Sequence, residues 1–417
     1  MTMGFFPAAL ALAFACVLGD DAIANNLPKL GHSMKDHFAL AEGYTNLNHG
    51  SYGSPPKIVL QAANEWRMRV ESNPDLWFRF DMYNELDKVR AQVAKYVGAN
   101  KDDVAFVDNA SHGINAVLRS LKIPQGKKIL YLSSAYAMVK NTLRYLEDFD
   151  DDQLLEVPIE WPSTQDAIVD AVSNAFEANE GRIYVACFSH IVSVPGTILP
   201  VEDLVRLTHK HSSMALIDGA HALGQVPLNL TNLNADFWVG NGHKWLYSPK
   251  GSAILWVRRD RQTLVEPTTI SWEGKGISHF QVAFSYQGTG DVSPYLSISA
   301  ALDFREWLGG EERIMNYTHS LCMNGGNLLA KKLGTKMLFS SSDRYAQMVD
   351  VHLPSSVTRA MNISEKLIQK YNTYVPVYSL ASDADAPCFA RVSCQIYNDL
   401  GDFEMLANAI LEIIAPR

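Results

Sequence analysis

The 417-residue sequence lacks the features that mark several large classes of protein. Its five cysteines include no CxxC pair and no spacing typical of metal ligands, so we expect buried or incidental thiols and no metal site. There is no basic run, and the net charge of −9 argues against a nucleic-acid partner, which would require clustered lysine and arginine. Internal repeats and low-complexity tracts are also absent. An ordinary globular protein remains.

The N-terminus carries one long apolar run. Residues 5–19, FFPAALALAFACVLG, have the length of a signal-peptide core, and Ala22-Ile23-Ala24 would serve as a small-residue cleavage site. The run is too short and too weakly flanked for a transmembrane helix, so we expect no membrane partner. No lysine or arginine precedes it. Residues 1–30 are therefore either a signal peptide or an extension ahead of a folded protein that begins near Gly31, disordered or reflecting an upstream start codon.

Short apolar runs alternate with amphipathic helical patterns through the middle of the chain. KKILYLS (127–133) precedes MVKNTLRYLEDF (138–149), and RIYVACF (182–188) precedes VEDLVRLTHKHS (201–212). This alternation is typical of an α/β protein whose largely parallel sheet carries helices on both faces. Ligands of such sheets bind beyond the carboxyl ends of the strands, so functional residues are expected there.

The pattern changes near residue 295. The following segment is mostly helical, and two later strand-like runs, YAQMVDVHLP and CFARVSCQIYN, precede a last helix. We therefore predict an N-terminal arm at residues 31–55, a large domain at 56–294 and a smaller C-terminal α+β domain at 295–417.

Two charged residues lie where buried strand patterns end. Lys244, beside His243, follows the apolar run ADFWVG (235–240), and Asp218 closes the apolar part of SMALIDGAHA (213–222). A carboxylate on such a strand is costly unless it pairs with a cation. The N–H group of a pyridinium ring would be a suitable partner.

Two possible anion sites complete the set. Asn109-Ala110-Ser111-His112 lies between a strand and a helix start, where backbone N–H groups and a serine hydroxyl can bind phosphate. Arg391 lies in a strand-like run of the small domain, and its planar guanidinium suits a substrate carboxylate. Each feature alone is common. Together, an acid, a lysine and an anion seat are what pyridoxal 5'-phosphate (PLP) requires.

Several motifs resemble those of the class V aminotransferase family, PLP-dependent enzymes of fold type I. LNHGSYGSPP (47–56), DGAHALGQVPLNL (218–230), DFWVGNGHKWLYSPKG (236–251) and GTGDVSPYL (288–296) are similar to its isopenicillin-N-epimerase-like branch. The order and spacing of GHSMKDHFAL, DGAHALG, GHKW and GGEERI look particularly like the C–S lyases of ergothioneine synthesis. The resemblance covers roughly residues 31–417. It implies a mostly parallel, seven-stranded PLP-binding sheet with a smaller C-terminal domain.

The resemblance also implies roles for individual residues around the cofactor. Lys244 matches the Schiff-base lysine, Asp218 the partner of the pyridine nitrogen, and His221 a residue near the phenolic oxygen, where related desulfurases have glutamine. Tyr136 matches the aromatic residue that stacks on the ring. The implied phosphate contacts are Ala110, Ser111, Asn241 and His243, with Thr289 reaching the phosphate of a neighbouring subunit.

On the substrate side, Arg391 matches the arginine that binds the substrate carboxylate. Asn48 and His49 lie in the arm that commonly lines the substrate entrance. Ser193 stands where desulfurases have an active-site asparagine. The QGTG segment (287–290) implies a homodimer with composite active sites.

The predicted reaction is β-elimination at a cysteine-derived C–S bond, giving pyruvate and ammonia. Desulfurases of this superfamily attack substrate sulfur with a mobile-loop cysteine, but the stretch before Arg391 contains only Cys388, on the same strand. Expulsion of a sulfur or sulfenate group needs no such thiol, and the resemblance makes hercynylcysteine sulfoxide the best candidate substrate. A cysteine desulfhydrase or an amino-acid epimerase would use the same residues. An inactive PLP-fold scaffold is the non-enzyme alternative.

We expect the folded enzyme in the cytoplasm. PLP supply favours that compartment, and Asn109-Ala110-Ser111 is a glycosylation sequon inside the proposed phosphate seat, where a glycan would block binding. A functional signal peptide would instead direct the chain to the secretory pathway.

Overall fold

The computed structural model describes residues 27–146, 153–271, 280–381 and 386–415. The strands are β1 (Val104–Val107), β2 (Lys128–Leu132), β3 (Leu154–Val157), β4 (Ile183–Ser189), β5 (Met214–Asp218), β6 (Phe237–Asn241), β7 (Ala253–Val257), β8 (Met348–His352), β9 (Val377–Ser379) and β10 (Cys388–Ser393).

Helices alternate with the strands from β1 to β7, and further helices precede β1 and follow β7 in groups. They are α1 (His49–Tyr52), α2 (Lys57–Ser72), α3 (Pro74–Leu76), α4 (Met82–Tyr96), α5 (Ala110–Ser120), α6 (Ala137–Tyr145), α7 (Gln165–Ala178), α8 (Val201–Lys210), α9 (Leu230–Leu233), α10 (Gly242–Trp245), α11 (Phe280–Ser285), α12 (Ser293–Leu296), α13 (Ile298–Trp307), α14 (Gly310–Leu333), α15 (Ile363–Tyr371) and α16 (Leu400–Ile414). Short 3₁₀ turns span His32–His37, Lys101–Asp103, Arg259–Leu264, Ser342–Arg344 and Arg359–Met361, and a π-helical turn spans Trp77–Asp81.

The first seven strands form one sheet in the order β1-β7-β6-β5-β4-β2-β3. β7 runs antiparallel to both of its neighbours, and the remaining pairs are parallel. The mostly parallel, seven-stranded sheet of the prediction is confirmed. In this order β4, β5 and β6 are adjacent, so Ser189, Asp218 and Asn241 end their strands at one edge. β1 runs in the same direction as β6, because both are antiparallel to β7, and α5 therefore begins at that edge too.

Both faces of the large sheet are covered. On β5, Ala215 and Ile217 belong to one hydrophobic core, while Met214 and Leu216 belong to the core on the opposite face. Because successive side chains of a strand point to opposite faces, burial on both faces requires continuous apolar runs. This is the physical reason for the unbroken hydrophobic segments that the sequence shows.

The C-terminal part has an antiparallel three-stranded sheet in the order β8-β10-β9. Its core contains Leu329 from α14, Val349 from β8, Val392 from β10 and Phe403 from α16. Leu296 and Ile298 pack with the large sheet instead. The domain limit near residue 295 stays a prediction.

The remaining expectations concern the termini and the thiols. The four described cysteines are buried free thiols, as predicted. Within the described ranges, no helix combines the length and hydropathy needed to cross a membrane. The signal-like run at 5–19 and its cleavage site lie outside the described residues.

Candidate active site

Asp218 is the buried acid at the end of β5. Its Oδ1 accepts a hydrogen bond from the backbone N–H of Ala220 at 3.0 Å. Burial raises the pKa of this carboxyl group, whereas the Ala220 N–H and the charge of Lys244 lower it. A further cation or N–H donor beside Asp218 would stabilise its charge, so the position suits a protonated ring nitrogen.

Lys244 lies on α10, which begins immediately after β6. Its Nζ is 3.2 Å from Nε2 of His221. Burial lowers the pKa of Lys244 to about 8; the charge of Asp218 opposes this effect and that of Arg391 adds to it. An amine with such a pKa is partly unprotonated near neutral pH, which makes it a competent nucleophile and base.

His221 has a defined proton position. Nε1–H of Trp245 donates to its Nδ1 at 3.3 Å, and an indole nitrogen can only donate. The neutral imidazole therefore carries its proton on Nε2, the atom nearest to Lys244. Burial lowers the pKa of His221 well below its ordinary value, so the ring stays neutral. Its Nε2–H can donate to an oxygen close to the lysine amine, as a phenolic oxygen would be.

The amino end of α5 is fixed against the end of β6. Asn109 caps the helix by accepting the N–H of His112 at 2.9 Å, and Oδ1 of Asn241 accepts the N–H of Ala110 at 2.8 Å. The Ala110 N–H is thus already engaged by Asn241. Ser111, with its own N–H and its hydroxyl, is the natural donor to an anion at this 11-residue helix.

His243 is more constrained than the sequence indicates. Its Nδ1 lies 3.2 Å from the backbone oxygen of Ser252, which can only accept, so Nδ1 carries the proton of the neutral ring. Burial, with the charge of Lys244, lowers the pKa of His243 to about 4. A contact from Nε2 to a phosphate oxygen therefore requires a second proton on the ring, which a bound dianion would favour.

Tyr136 and Thr289 are the predicted cofactor residues that remain accessible. Tyr136 precedes α6 with 53% of its surface exposed, and its neighbour Ala135 lines a pocket with Asp218. Its exposed ring leaves surface that a ligand can contact. Thr289 is exposed, and its hydroxyl lies 2.8 Å from that of Tyr286. Among the described contacts, none joins Thr289 to the other predicted site residues of its own chain.

Arg391 is a buried cation whose hydrogen-bond partners are all neutral. Nη1 donates to the backbone oxygen of Ser193 at 2.8 Å and to its Oγ at 3.0 Å. Nη2 donates to Oδ1 of Asn48 at 3.1 Å and to Oγ of Ser51 at 2.9 Å. Burial lowers the pKa of Arg391, yet a guanidinium remains charged in proteins. A carboxylate ligand would supply the charge that these partners lack.

Asp350 is the anion that the sequence analysis missed. It pairs with Arg391 across β8 and β10, and its carboxylate accepts the N–H of Gly196 at 2.8 Å and the hydroxyl of Tyr378 at 2.6 Å. Burial raises the pKa of Asp350 to about 6. No sequence signal separates this acid from other strand residues, because its importance comes from strand register.

The arm corrects one expectation. Asn48 contacts Arg391, but His49 does not line an entrance: it is 1% exposed. Its Nε2 lies 2.8 Å from the backbone oxygen of Lys244 and its Nδ1 lies 2.8 Å from the hydroxyl of Tyr397. Both ring nitrogens of His49 are therefore engaged in hydrogen bonds within the protein. Ser51, which sequence analysis did not assign, lies in the same LNHGSYG motif and contacts Arg391.

The comparison with known families agrees with this geometry. A family model, Aminotransferase class-V, matches residues 52–406. The chain belongs to this family.

Individual class V relatives and structures align over most of the chain. Hercynylcysteine sulfoxide lyase of Schizosaccharomyces pombe is 29% identical, over 91% of this chain and 97% of the relative. An L-cysteine desulfhydrase-like protein, lolT1 of Epichloe uncinata, is also 29% identical, over 91% of this chain and 95% of the relative. A solved C-DES mutant with glycine covalently linked to its PLP cofactor has a TM-score of 0.77 at 20% identity, covering 90% of this chain and 98% of that chain.

The class V site fits PLP on structural grounds as well. Asp218 offers a buried carboxylate to a ring N–H, Lys244 offers an amine of lowered pKa to an aldehyde, and α5 offers its amino end to a phosphate. The protein is a PLP-dependent enzyme.

Proposed function

We propose that this class V enzyme cleaves a cysteine-derived C–S bond by β-elimination, releasing pyruvate and ammonia. The observation that carries the proposal is the pairing of a partly exposed amine of lowered pKa, Lys244, with a buried guanidinium, Arg391, whose hydrogen-bond partners are neutral. Such a pair suits an α-amino acid, with proton transfer at Cα and a fixed α-carboxylate. The relatives named as a C–S lyase and a desulfhydrase-like protein support sulfur as the leaving atom.

Cys388 supports elimination over attack by a protein thiol. Cys388 is buried on β10, and β10 pairs with both β8 and β9. Burial raises the pKa of the Cys388 thiol. A neutral thiol fixed in the middle strand of a sheet is a poor nucleophile and cannot follow a moving substrate.

PLP, when bound, withdraws the electron pair that Cα releases. Lys244 removes the Cα proton as a base, and Arg391 holds the α-carboxylate so that this proton faces the amine. Asp218 would keep a proton on the ring nitrogen of the bound cofactor, and Nε2–H of His221 would donate to its ring oxygen. The Cα electron pair then forms a Cα=Cβ double bond as the C–S bond breaks with its own pair on sulfur, and Lys244 returns its proton to the leaving group. The released product takes up water and gives pyruvate and ammonia.

Hercynylcysteine sulfoxide is the substrate that we propose, with ergothioneine synthesis as the setting. The test is an assay of PLP-loaded protein with this sulfoxide beside L-cysteine, following pyruvate and the loss of each substrate. We expect pyruvate to appear in step with loss of the sulfoxide. Faster turnover of cysteine would indicate a desulfhydrase, and Cα deuterium exchange with inversion and no pyruvate would indicate an epimerase. Absence of both turnover and bound-cofactor absorbance would indicate an inactive PLP-fold scaffold.

A homodimer with shared sites is the assembly that we propose. Its support is the exposed position of Thr289, whose counterpart in the family resemblance reaches the neighbouring phosphate. Mixing the inactive variants Lys244→Ala and Thr289→Ala should restore activity, because a mixed dimer contains one site with both native residues. A monomer in sedimentation, with no restored activity, would contradict the shared site.

We further propose that the enzyme works in the cytoplasm. Asn109 caps α5, and its side chain is engaged with His112, so a glycan on this sequon would disturb the phosphate seat. Cell fractionation should find unglycosylated protein with the cytosolic fraction. A processed, glycosylated and secreted enzyme would contradict this compartment.

A further inference from the structure

The short helix α1 of the arm contacts both catalytic cations. Its first residue, His49, approaches the backbone of Lys244 at 2.8 Å. Asn48, just before the helix, and Ser51, within it, both accept hydrogen bonds from Nη2 of Arg391. Lys244 lies on α10, directly after β6 of the large sheet, and Arg391 lies on β10 of the small sheet. Four consecutive residues of the arm therefore join the two halves of the site.

The hydrogen bonds on the lysine side have one consistent direction. The backbone oxygen of Lys244 can only accept, so Nε2 of His49 carries a proton and Nδ1 does not. Nδ1 then accepts from the hydroxyl of Tyr397, which itself accepts from Nδ2 of Asn46 at 2.8 Å. Burial lowers the pKa of His49 to about 3, so the imidazole stays neutral. The chain from Asn46 to Lys244 has every donor matched to an acceptor.

This bond satisfies a carbonyl group that α10 leaves open. The last carbonyls of a helix have no partner within it, and α10 has only four residues. His49 caps the carbonyl of Lys244, and Nη1 of Arg305 caps that of Trp245 at 2.7 Å. The carbonyls of the last two residues of α10, including that of Lys244, are thus both held by side chains from other elements.

The arm also packs too closely to shift. Gly53 has a φ of 66°, and a Cβ there would lie 1.7 Å from the backbone oxygen of His243. A Cβ at Gly50 would lie 2.9 Å from atoms of both Met348 and Trp245. The backbone of the arm thus touches α10 on one side and β8 on the other.

On the arginine side, three polar groups form a closed set. The hydroxyl of Ser51 donates to Oδ1 of Asn48 at 2.7 Å, and both oxygens accept from Nη2 of Arg391. The arm thus holds Nη2 of the guanidinium, while Ser193 holds Nη1.

We propose that residues 48–53 form a bracket that sets the Lys244 amine relative to the Arg391 guanidinium, with His49 and Ser51 as positioning residues. The inference rests on the proposed roles of these two cations. It adds that the arm defines the span between the amine and the carboxylate of a bound α-amino acid.

The lysine side is tested with His49→Leu, which removes the donor, and His49→Gln, whose amide can restore it. The measurements are PLP affinity and the pH midpoint of the absorbance of lysine-bound cofactor, neither of which requires turnover. We expect His49→Leu to weaken PLP binding about tenfold and to move the midpoint, as loss of a buried hydrogen bond predicts, with recovery in His49→Gln. Tyr397→Phe, which leaves the Nε2 bond in place, should have a smaller effect. A lower Tm in all three variants with an unmoved midpoint would overturn the positioning role.

The arginine side is tested with Ser51→Ala and two unreactive amines. Glycine carries a carboxylate and methylamine does not, so only glycine uses Arg391. We expect the glycine Kd, measured from the cofactor spectrum, to rise about tenfold, with the methylamine Kd unchanged. Equal changes for both amines, or no change for either, would overturn the bracket. If the wild type binds PLP and glycine normally but cleaves no C–S bond, the proposed reaction fails while the bracket stands.

Discussion

The two cations of the site, Lys244 and Arg391, respond differently to desolvation. Desolvation lowers the pKa of both Lys244 and Arg391, but only the pKa of the lysine, about 8, approaches neutral pH. Lys244 faces the Nε2–H of a neutral imidazole, a donor that favours the unprotonated amine, whereas Arg391 makes four hydrogen bonds and keeps its charge. Desolvation therefore leaves an amine that can exchange its proton on α10 and a permanent charge on β10.

The largest expected effect comes from removing the proton carrier. Lys244→Ala should abolish the borohydride-trappable covalent link to PLP and lower turnover by at least about a thousandfold, because the base at Cα is lost. Mass spectrometry of the reduced protein measures the link. Lys250→Ala, six residues along the same segment, is the matched control and should retain it. An undiminished adduct in Lys244→Ala would remove Lys244 from its role.

Changing the fixed charge should have the next largest effect. Arg391→Lys replaces a planar fork with a point charge that cannot reach Ser193 and Ser51 together. We expect kcat/KM to fall by an amount equivalent to about 2–4 kcal/mol. Steady-state kinetics measure this loss, and Arg359→Lys, an exposed change in the same domain, controls for charge. A loss below tenfold would mean that the fork is not needed.

A substitution of Asp350 tests how the small sheet, which carries the permanent charge of Arg391, accommodates a buried carboxyl group. Its folded pKa of about 6 exceeds the ordinary value of 3.8, so the folded state binds this proton more tightly than the unfolded chain does. The carboxylate therefore lowers stability as pH rises from about 4 to about 6. Relative to wild type, Asp350→Asn should gain about 1–3 kcal/mol in the free energy of unfolding between pH 4 and pH 7. Urea titrations at both pH values measure the gain, and a constant difference would contradict the assignment.

The smallest effect on turnover is expected from a substitution of Cys388, three residues before Arg391. Cys388→Ser should change turnover less than about twofold, because elimination needs no sulfur acceptor and the thiol is buried in the sheet. Pyruvate should remain the product. Loss of activity, with alanine as the wild-type product, would instead show that β10 supplies a nucleophile as well as a charge.

The sequence predicted those parts of the molecule that depend on local pattern. The buried strands β4 and β5 are continuous apolar runs, so their ends, and with them Asp218, could be located. β3 and β9 were not predicted, because LLEV and VYS are half-exposed and lack such a run. Helix α7 was also missed, although Thr164 caps it.

Within the site, a contact could be predicted from the sequence only where it follows from the layout of the parallel strands. Lys244 and Asp218 could be brought together because the ends of parallel strands share an edge. Asp350 and Arg391 meet through antiparallel register, and His49 meets Lys244 across 195 positions of sequence. Neither contact leaves a periodic or spacing signal, so only the folded chain reveals them.

The close approach at Gly53 has a genetic consequence. Every missense change of a glycine codon introduces a Cβ, and at Gly53 this atom would overlap the carbonyl of His243, directly before Lys244. At Gly126, whose φ is also positive, a Cβ would meet no atom within 4 Å. Two codons for the same amino acid thus differ in the inherited variation that they can carry. Among arm positions in a population, we expect codon 53 to be among the most depleted of missense alleles.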